Sequence, residues 1–429
     1  MRQWMILLPY GKNSIELVKH DNIKVFLPKR IKPEIDQIQL VNNSFESSEL
    51  SNIQLEQWLN KCVAIGINDQ TRPLPNEILI PALLNYLHKK LVPVENITFF
   101  IATGTHSPLK KSQFPLILDE SIIIRYKIVS HDCEDETNLS YLGDTSAGTP
   151  VFINKSFYES DIKILIGNIE PHHFMGFSGG FKTASIGLTG RNTITANHAM
   201  LTHPRSQMGL FHSNPMRRDV EEIGKMIGVQ AALNVIINDE KEIISSYWGK
   251  PESVIGQGIN FINNKLRMDL THEKAKYDLV IASPGGYPKD INFYQAQKAI
   301  THAGYFCKPG ASIILIAECK DGLGSDKFQS IFDQGKSLNS IIGDFERLPF
   351  EIGPHKAYQL AKQLLQFKII LVSNLDKKTV EKMHLIYANN LNHAFTIAKT
   401  WIDFEKIAVA VLPYATHVLP NTEDLLDGK

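Results

Sequence analysis

The residue types able to do chemistry gather in one stretch, Gly167-Asn168-Ile169-Glu170-Pro171-His172-His173-Phe174-Met175-Gly176-Phe177-Ser178-Gly179-Gly180-Phe181-Lys182. Gly176, Gly179 and Gly180 bracket Phe177 and Ser178, so the backbone can approach a ligand closely and offer amide donors to an anion. Lys182 lies at the edge of this loop. If a helix opens there, its positive end and nearby cations lower the lysine pKa and make the amine a candidate nucleophile or covalent anchor. A tight turn beside a solvated lysine fits the same residues equally well. The loop is not a Walker phosphate loop, because it lacks the Gly-Lys-Ser/Thr ending.

Histidines crowd the same region: His172, His173, His198, His203 and His212. Neutral imidazole is a good ligand for nickel, copper or zinc, and a histidine near its free pKa gives and takes protons at neutral pH. For any one of them a capping or core role fits the spacing as well. Asp69 and Arg72 stand three residues apart before Pro73, where Arg72 offers a bidentate fork to a carboxylate or phosphate. For Asp69, capping the following helix is the slightly better reading. Tyr294, Gln295 and Lys298 share one face of a helix if Asn292 onward is helical. On spacing alone, an ordinary solvated face accounts for them best.

Short runs of Ile, Val and Leu between amphipathic stretches must position these groups, the pattern of a mostly parallel sheet covered by helices. Strands are predicted at 63–67, 97–101, 126–129, 162–166, 279–281, 313–316 and 369–372, with helices starting near Pro75 and covering Arg218 to Ile227. The first four strands are followed by Asn68-Asp69-Gln70-Thr71-Arg72-Pro73, by Ala102-Thr103-Gly104-Thr105-His106, by Ser130-His131-Asp132 and by the glycine stretch. Polar residues thus collect at strand carboxyl ends, where open α/β sheets bind ligands. The length of 429 residues favours two domains. The polar stretch 263–276 looks like a boundary, which predicts a cofactor-binding and catalytic domain over 1–270 and a substrate-binding α/β domain over 271–429. The expected architecture is two α/β domains with the active site in the cleft between them.

Lysine plus arginine equals aspartate plus glutamate, 45 against 45, so no whole-chain field draws the protein to nucleic acid or an anionic membrane. The N-terminal apolar run is too short for a signal peptide, and no run approaches a membrane span. Cys62, Cys133, Cys307 and Cys319 are widely spaced, which fits reduced thiols in a cytoplasmic protein and small core residues.

Taken together, Asp69-Gln70-Thr71-Arg72-Pro73, Thr103-Gly104-Thr105-His106, Glu170-Pro171-His172 with Gly176 to Lys182, Asn197-His198, His203-Pro204 and Lys289-Asp290 to Lys298 resemble the nickel-dependent lactate racemase family. The resemblance runs over almost the whole chain, and the glycine segment with its histidine and lysine is its most specific part. It implies a 2-hydroxyacid racemase or epimerase using a nickel-pincer nucleotide, a Ni(II) pyridinium-3,5-bisthiocarboxylic acid mononucleotide that cofactor-biosynthesis proteins would supply. By the resemblance, Lys182 tethers the cofactor, His198 ligates nickel, and His106 and His172 act as acid and base on opposite faces of the substrate. Arg72 holds the substrate oxygen, and Gln295 and Lys298, with Tyr294 beside them, bind the substrate. Asp69, Gly176, Ser178, Gly179 and Gly180 help seat the cofactor and its phosphate. The implied reaction is a reversible hydride transfer at C2, which avoids a carbanion next to a carboxylate. Ser107 stands where the family often has arginine, and the segment Gly353-Pro354-His355-Lys356-Ala357-Tyr358 lacks the tryptophan of lactate-specific members. These departures leave the acid open. The rival readings are a zinc hydrolase, with His172, His198 and His203 as ligands and Glu170 as base, and a non-catalytic carrier of nickel or nucleotide.

Overall fold

The computed structural model describes residues 5–50, 58–72, 74–269, 271–273, 275–348, 350–351, 353–404, 406–418 and 420–421. Pro73, singled out beside Arg72, lies outside them. The chain divides into two compact units, one of residues 30–265 with 427–429 and one of residues 1–29 with 266–426. The first 29 residues, expected in the N-terminal domain, therefore belong to the C-terminal unit.

Two six-stranded sheets carry the units. In chain order their strands are β1 (Ile23–Val25), β2 (Val63–Asn68), β3 (Ile97–Ala102), β4 (Lys127–Ser130), β5 (Ile162–Asn168), β6 (Ala231–Ile237), β7 (Ile243–Gly249), β8 (Tyr277–Ala282), β9 (Cys307–Ile316), β10 (Lys368–Val372), β11 (Ile386–Ala388) and β12 (Val409–Leu412). All seven strands expected from the sequence are present, six of them within two residues of their predicted ends and the seventh, expected at 313–316, extended back to Cys307. The helices that matter below are α1 (Asn76–Lys89), α2 (Lys182–Ser185), α3 (Arg191–Ala199), α4 (Pro215–Ile227), α5 (Phe293–Ala296), α6 (Lys298–Gly304) and α7 (Pro354–Gln366).

In the unit of residues 30–265 the strand order is β7-β6-β5-β2-β3-β4. All neighbours are parallel except β6 with β7. From β2 the chain steps outward to β3 and β4, then returns to the other side of β2 at β5 and β6. The order reverses between β2 and β5, and the loops leaving their carboxyl ends diverge there to open a crevice. The core includes Ile65, Phe99, Ile164, Ile166 and Leu233, all fully buried. Each such side chain contributes roughly 1.5–3 kcal/mol through burial.

The other unit repeats the plan in the order β11-β10-β9-β8-β12-β1, parallel throughout. Val280, Ile313, Leu315 and Ile369 enter the core on one face, and Leu279, Ile281, Ile314 and Ile370 enter it on the other. A strand buried on both faces needs an uninterrupted apolar run, which is why these segments were visible in the sequence. β1 joins this sheet at its edge, pairing Ile23, Lys24 and Val25 with Val409, Ala410 and Val411. Four charged or polar residues, Lys19 to Asn22, separate it from a hairpin that pairs Met5–Tyr10 with Asn13–Val18, so nothing in its composition announces a partner nearly four hundred residues away. Among the described residues no helix is long and apolar enough to cross a membrane. Cys133, Cys307 and Cys319 are buried free thiols, whereas Cys62 is exposed and is not the core residue expected.

Candidate functional site

The crevice at β2 and β5 collects most of the expected residues of the first unit. Asp69 follows β2 and is buried, and its carboxylate is fully committed. Oδ1 accepts from the Thr71 backbone N–H at 3.1 Å and from the Thr71 hydroxyl at 2.6 Å. Oδ2 lies 2.7 Å from Nδ1 of His106, brought alongside by the loop that leaves β3. Helix α1 begins at Asn76 behind Pro75, with no side-chain cap, so Asp69 does not cap it. Burial pushes the Asp69 pKa up, but the hydrogen bonds from His106 and Thr71 outweigh it and hold the carboxyl below its usual range. An ionised Asp69 accepts the Nδ1–H of His106 and leaves the lone pair of that ring on Nε2. His106 is exposed, with 54% of its side chain accessible, as a group meeting a ligand requires. Arg72 is also exposed.

From β5 the chain turns into a small hairpin that pairs Pro171 with Phe177 and His172 with Gly176. The tight return has a physical cause at Gly176, whose φ is +72° and where a Cβ would fall 1.7 Å from the Leu210 carbonyl oxygen. Gly179 and Gly180 also take positive φ, and the loop then enters the short helix α2 with Lys182 as its first residue. Ser178 is buried, and its hydroxyl has no protein partner among the described residues. A close backbone approach, an orphaned buried hydroxyl and a lysine at the loop exit are the features a seat for an anionic cofactor needs.

Lys182 is buried, at 8% exposure, which excludes the solvated lysine that the sequence equally allowed. Burial, reinforced by the Arg72 and Arg217 guanidinium groups and opposed by Glu170, drives its pKa well below that of an ordinary lysine. The same shift raises the share of unprotonated, nucleophilic amine over that of a solvated lysine.

His172 is partly buried, and burial followed by Lys182, His173, Arg72 and His198 keeps its pKa well below the usual imidazole value. Its Nδ1 accepts the Met175 backbone N–H at 3.2 Å, so the neutral ring carries its hydrogen on Nε2. His198 near the end of α3 donates from Nδ1 to the Ile194 carbonyl at 2.8 Å, which places its lone pair on Nε2. Burial and Lys182 lower its pKa to about 4, so the ring is neutral and ligand-competent above that. The Phe174 ring lies between the two histidines, 4.8 Å from His172 and 6.2 Å from His198. His203 is exposed and Glu170 is exposed. Among the described residues no three His, Cys, Asp or Glu side chains come together as a group that could hold a metal ion.

Two residues outside the sequence reading hold this loop in shape. Fully buried Arg217, on α4, donates to the carbonyls of Phe177 at 2.9 Å and Gly179 at 3.0 Å and pairs with Glu221. Asn234, in the middle of β6, accepts the Gly180 backbone N–H at 2.7 Å. The neighbouring Asn197 is tied to the Met216 carbonyl at 3.0 Å and to Asp219 at 2.8 Å, which fixes the helix that presents His198. The one available signal was a strong start to α4, where Asn214 caps the helix and Pro215 opens it ahead of the buried arginine.

In the other unit, Tyr294 and Gln295 lie on α5 and Lys298 opens α6. The single helix expected is divided at Gln297, whose side chain is buried and donates to the Lys356 carbonyl at 2.9 Å. Tyr294, Gln295 and Lys298 are the partly buried positions among buried Phe293, Ala296, Gln297, Ala299 and Ile300, so they share a face but not an ordinary solvated one. Burial raises the Tyr294 phenol above its usual pKa.

Comparison with known proteins agrees with this layout. Residues 10–209 match the family described as lactate racemase N-terminal domain, and residues 272–419 match the lactate racemase C-terminal domain. The chain is 30% identical to a lactate racemase of Thermoanaerobacterium thermosaccharolyticum, over 96% of its own length and 98% of that relative. It is 31% identical to a lactate racemase of Lactiplantibacillus plantarum, over 77% of this chain and 78% of that one. The solved lactate racemase apoprotein from T. thermosaccharolyticum superimposes with a TM-score of 0.88 at 28% identity, covering 97% of this chain and 100% of that structure. A Thermotoga maritima protein shares the fold alone, with a TM-score of 0.63 at 15% identity, over 90% of this chain and 98% of that one. With both family domains matched in order and a relative aligned over nearly its full length, the chain belongs to the lactate racemase family and is an enzyme of the isomerase class.

Proposed function

We propose that the protein interconverts the stereoisomers of a 2-hydroxyacid, using a nickel-pincer nucleotide tethered at Lys182. The observation that carries this reading is the buried amine of Lys182, its pKa held well below that of an ordinary lysine, at the exit of a positive-φ glycine loop and beside the imidazoles of His172 and His198. The residues fit such a group. Lys182 is the covalent anchor, Nε2 of His198 is the single protein ligand, and the Gly176 to Gly180 loop with Ser178 receives the phosphate. His198 would be the protein's ligand to the nickel, whose remaining donors would come from the cofactor, and a neutral imidazole suits that metal. When bound, the group supplies the hydride acceptor for C2 of the substrate.

The side chains of this chain supply the proton chemistry and the binding. Nε2 of His106, backed by ionised Asp69, takes the hydroxyl proton of one enantiomer, and His172, after taking up a proton at Nδ1, returns one from Nε2 to the oxygen of the other. That uptake gives up the hydrogen bond from Met175, worth about 1 kcal/mol, and for the opposite enantiomer the roles exchange. Arg72 orients the substrate oxygen, and Tyr294, Gln295 and Lys298 bind its carboxylate. Asp69 is better read as a positioning residue for His106 than as a direct cofactor contact, because both its oxygens are already engaged.

The test is intact mass and metal content of the protein made together with the cofactor-biosynthesis proteins. A mass increment that Lys182→Ala removes, with nickel near one equivalent, is the expected result. Absence of both adduct and nickel from the loaded preparation would overturn the reading.

A further inference from the structure

Lys356 is a buried amine with no anion beside it. It lies in the first turn of the long helix α7, where the backbone dipole disfavours a cation, and it is only 5% exposed. Among the described residues no carboxylate pairs with it: Glu351 holds Lys327 at 3.1 Å, and Glu346 accepts from the Tyr358 hydroxyl at 3.1 Å. Its Nζ lies 5.6 Å from the centre of the Tyr294 ring. A ring face offsets only part of what a cation loses on leaving water. The free protein relieves the rest by releasing the proton, since burial, then the charge of Lys298, lowers the Lys356 pKa to about 7.

The backbone keeps the side chain there. Gln297 donates to the Lys356 carbonyl, which ties the first turn of α7 to the junction of α5 and α6. The adjacent His355 is buried, accepts the Gly353 N–H at 3.1 Å and sets its ring edge-on to Tyr294 at 6.3 Å. Lys356 thus flanks Tyr294, one of the three side chains assigned above to the substrate carboxylate.

We propose that Lys356 is a further substrate-binding residue, its ammonium closing on the same C1 carboxylate that Tyr294, Gln295 and Lys298 receive. Lys356 has this role only within the racemase reading above. An arriving carboxylate supplies the anion that the protein leaves out, and the amine then takes up a proton from solvent and keeps it. The ligand completes the charge of the site. An uncharged amide or ester of the same acid leaves Lys356 as it is in the free protein, so the subsite selects for the ionised acid.

The loaded full-length enzyme and its Lys356→Met variant are to be compared with enantiopure lactate as the probe. Inversion is followed by chiral chromatography, and binding by calorimetry in two buffers of different ionisation enthalpy. The substitution leaves in place the backbone carbonyl that Gln297 grips. Lys356→Met should raise KM at least about tenfold, with kcat unchanged within about threefold and the Lys182 adduct and nickel content retained. At pH 7 the parent should take up about half a proton more on binding than the variant, the share that a group titrating near 7 has released. The other charged or titratable groups set around the amine are Lys298, the Tyr294 phenol and His355 on its own turn. All three are common to both proteins, so the difference in uptake reports Lys356. A smaller rise in KM, a loss confined to kcat, or equal proton uptake overturns the inference while the racemase reading stands. Failure of the loaded parent to invert lactate counts against the racemase reading alone, and the dissociation constant then replaces KM. Binding weakened by the same factor, with the proton difference, supports the subsite, and binding that is absent or unaltered overturns it.

Discussion

The Asp69–His106 contact fixes the ring orientation and tautomer of the one candidate base that faces solvent, and the assignment has two separable consequences. Asp69→Asn keeps the size of the side chain but withdraws the carboxylate that fixes the ring tautomer, and turnover of the loaded enzyme should fall about 10–100-fold while the Lys182 adduct is retained. The same variant should change the acid limb of stability. Because the folded Asp69 pKa is depressed, its contribution is fully present above the unfolded carboxyl value and is lost as pH falls through the folded one. Denaturant unfolding from pH 6 to pH 2.5 should therefore show a shallower loss for Asp69→Asn, and superimposable curves would refute the ionised pair. At this scale the sequence showed which residues matter better than what holds them. His106 and Lys182 were conspicuous because they follow a strand end and a glycine cluster. The partner of Asp69 was not, since His106 is 37 residues away and only the parallel pairing of β2 with β3 makes them neighbours. The buried state of Lys182 and Lys356 is likewise a tertiary property, and no local pattern of residues encodes it.

At the scale of elements, the loop between β5 and α2 depends on pieces contributed from well downstream. Arg217 and Asn234 hold its carbonyls and amide from α4 and β6, at separations of 38 to 54 residues. Both make these contacts to backbone, which has no side-chain identity to read, so they escaped the sequence although their helix and strand are ordinary. Replacing Gly176 by alanine tests how tightly the loop is set. Its positive φ and the Leu210 carbonyl in the way of a Cβ should together cost at least about 3 kcal/mol. A thermal melt of Gly176→Ala within a degree or two of the parent would show that the hairpin relaxes easily. The strands themselves were the most legible feature, because β-branched runs buried on both faces leave few alternatives. The division between α5 and α6 was not legible, since Gln297 is a good helix former and keeps helical backbone angles at the junction.

For the whole molecule, the chain divides at residue 265, and its N-terminus is grouped with the later unit. The first 29 residues complete the unit built from residues 266–426. Pro9 accepts from the Ser283 hydroxyl, and the Gly11 amide donates to buried Asp290 at 2.6 Å. A fragment beginning at Leu266 thus loses both these contacts and the edge strand β1, exposing the open side of β12 to other chains. It should be aggregation-prone in size-exclusion chromatography. The same fragment with residues 5–29 restored through a flexible linker should elute as a compact species. Equal behaviour of the two would mean that the N-terminal segment adds little to the unit.

That discontinuity also orders events in time. During synthesis Ile23–Val25 leaves the ribosome long before Val409–Leu412, its pairing partner, has been made. At typical elongation rates of about 5–20 residues per second the wait is on the order of 20–80 s. The segment of residues 30–265 is contiguous and free to fold during that interval. A newborn chain therefore has Lys182 in a finished unit while Ile23–Val25 is still waiting for Val409–Leu412.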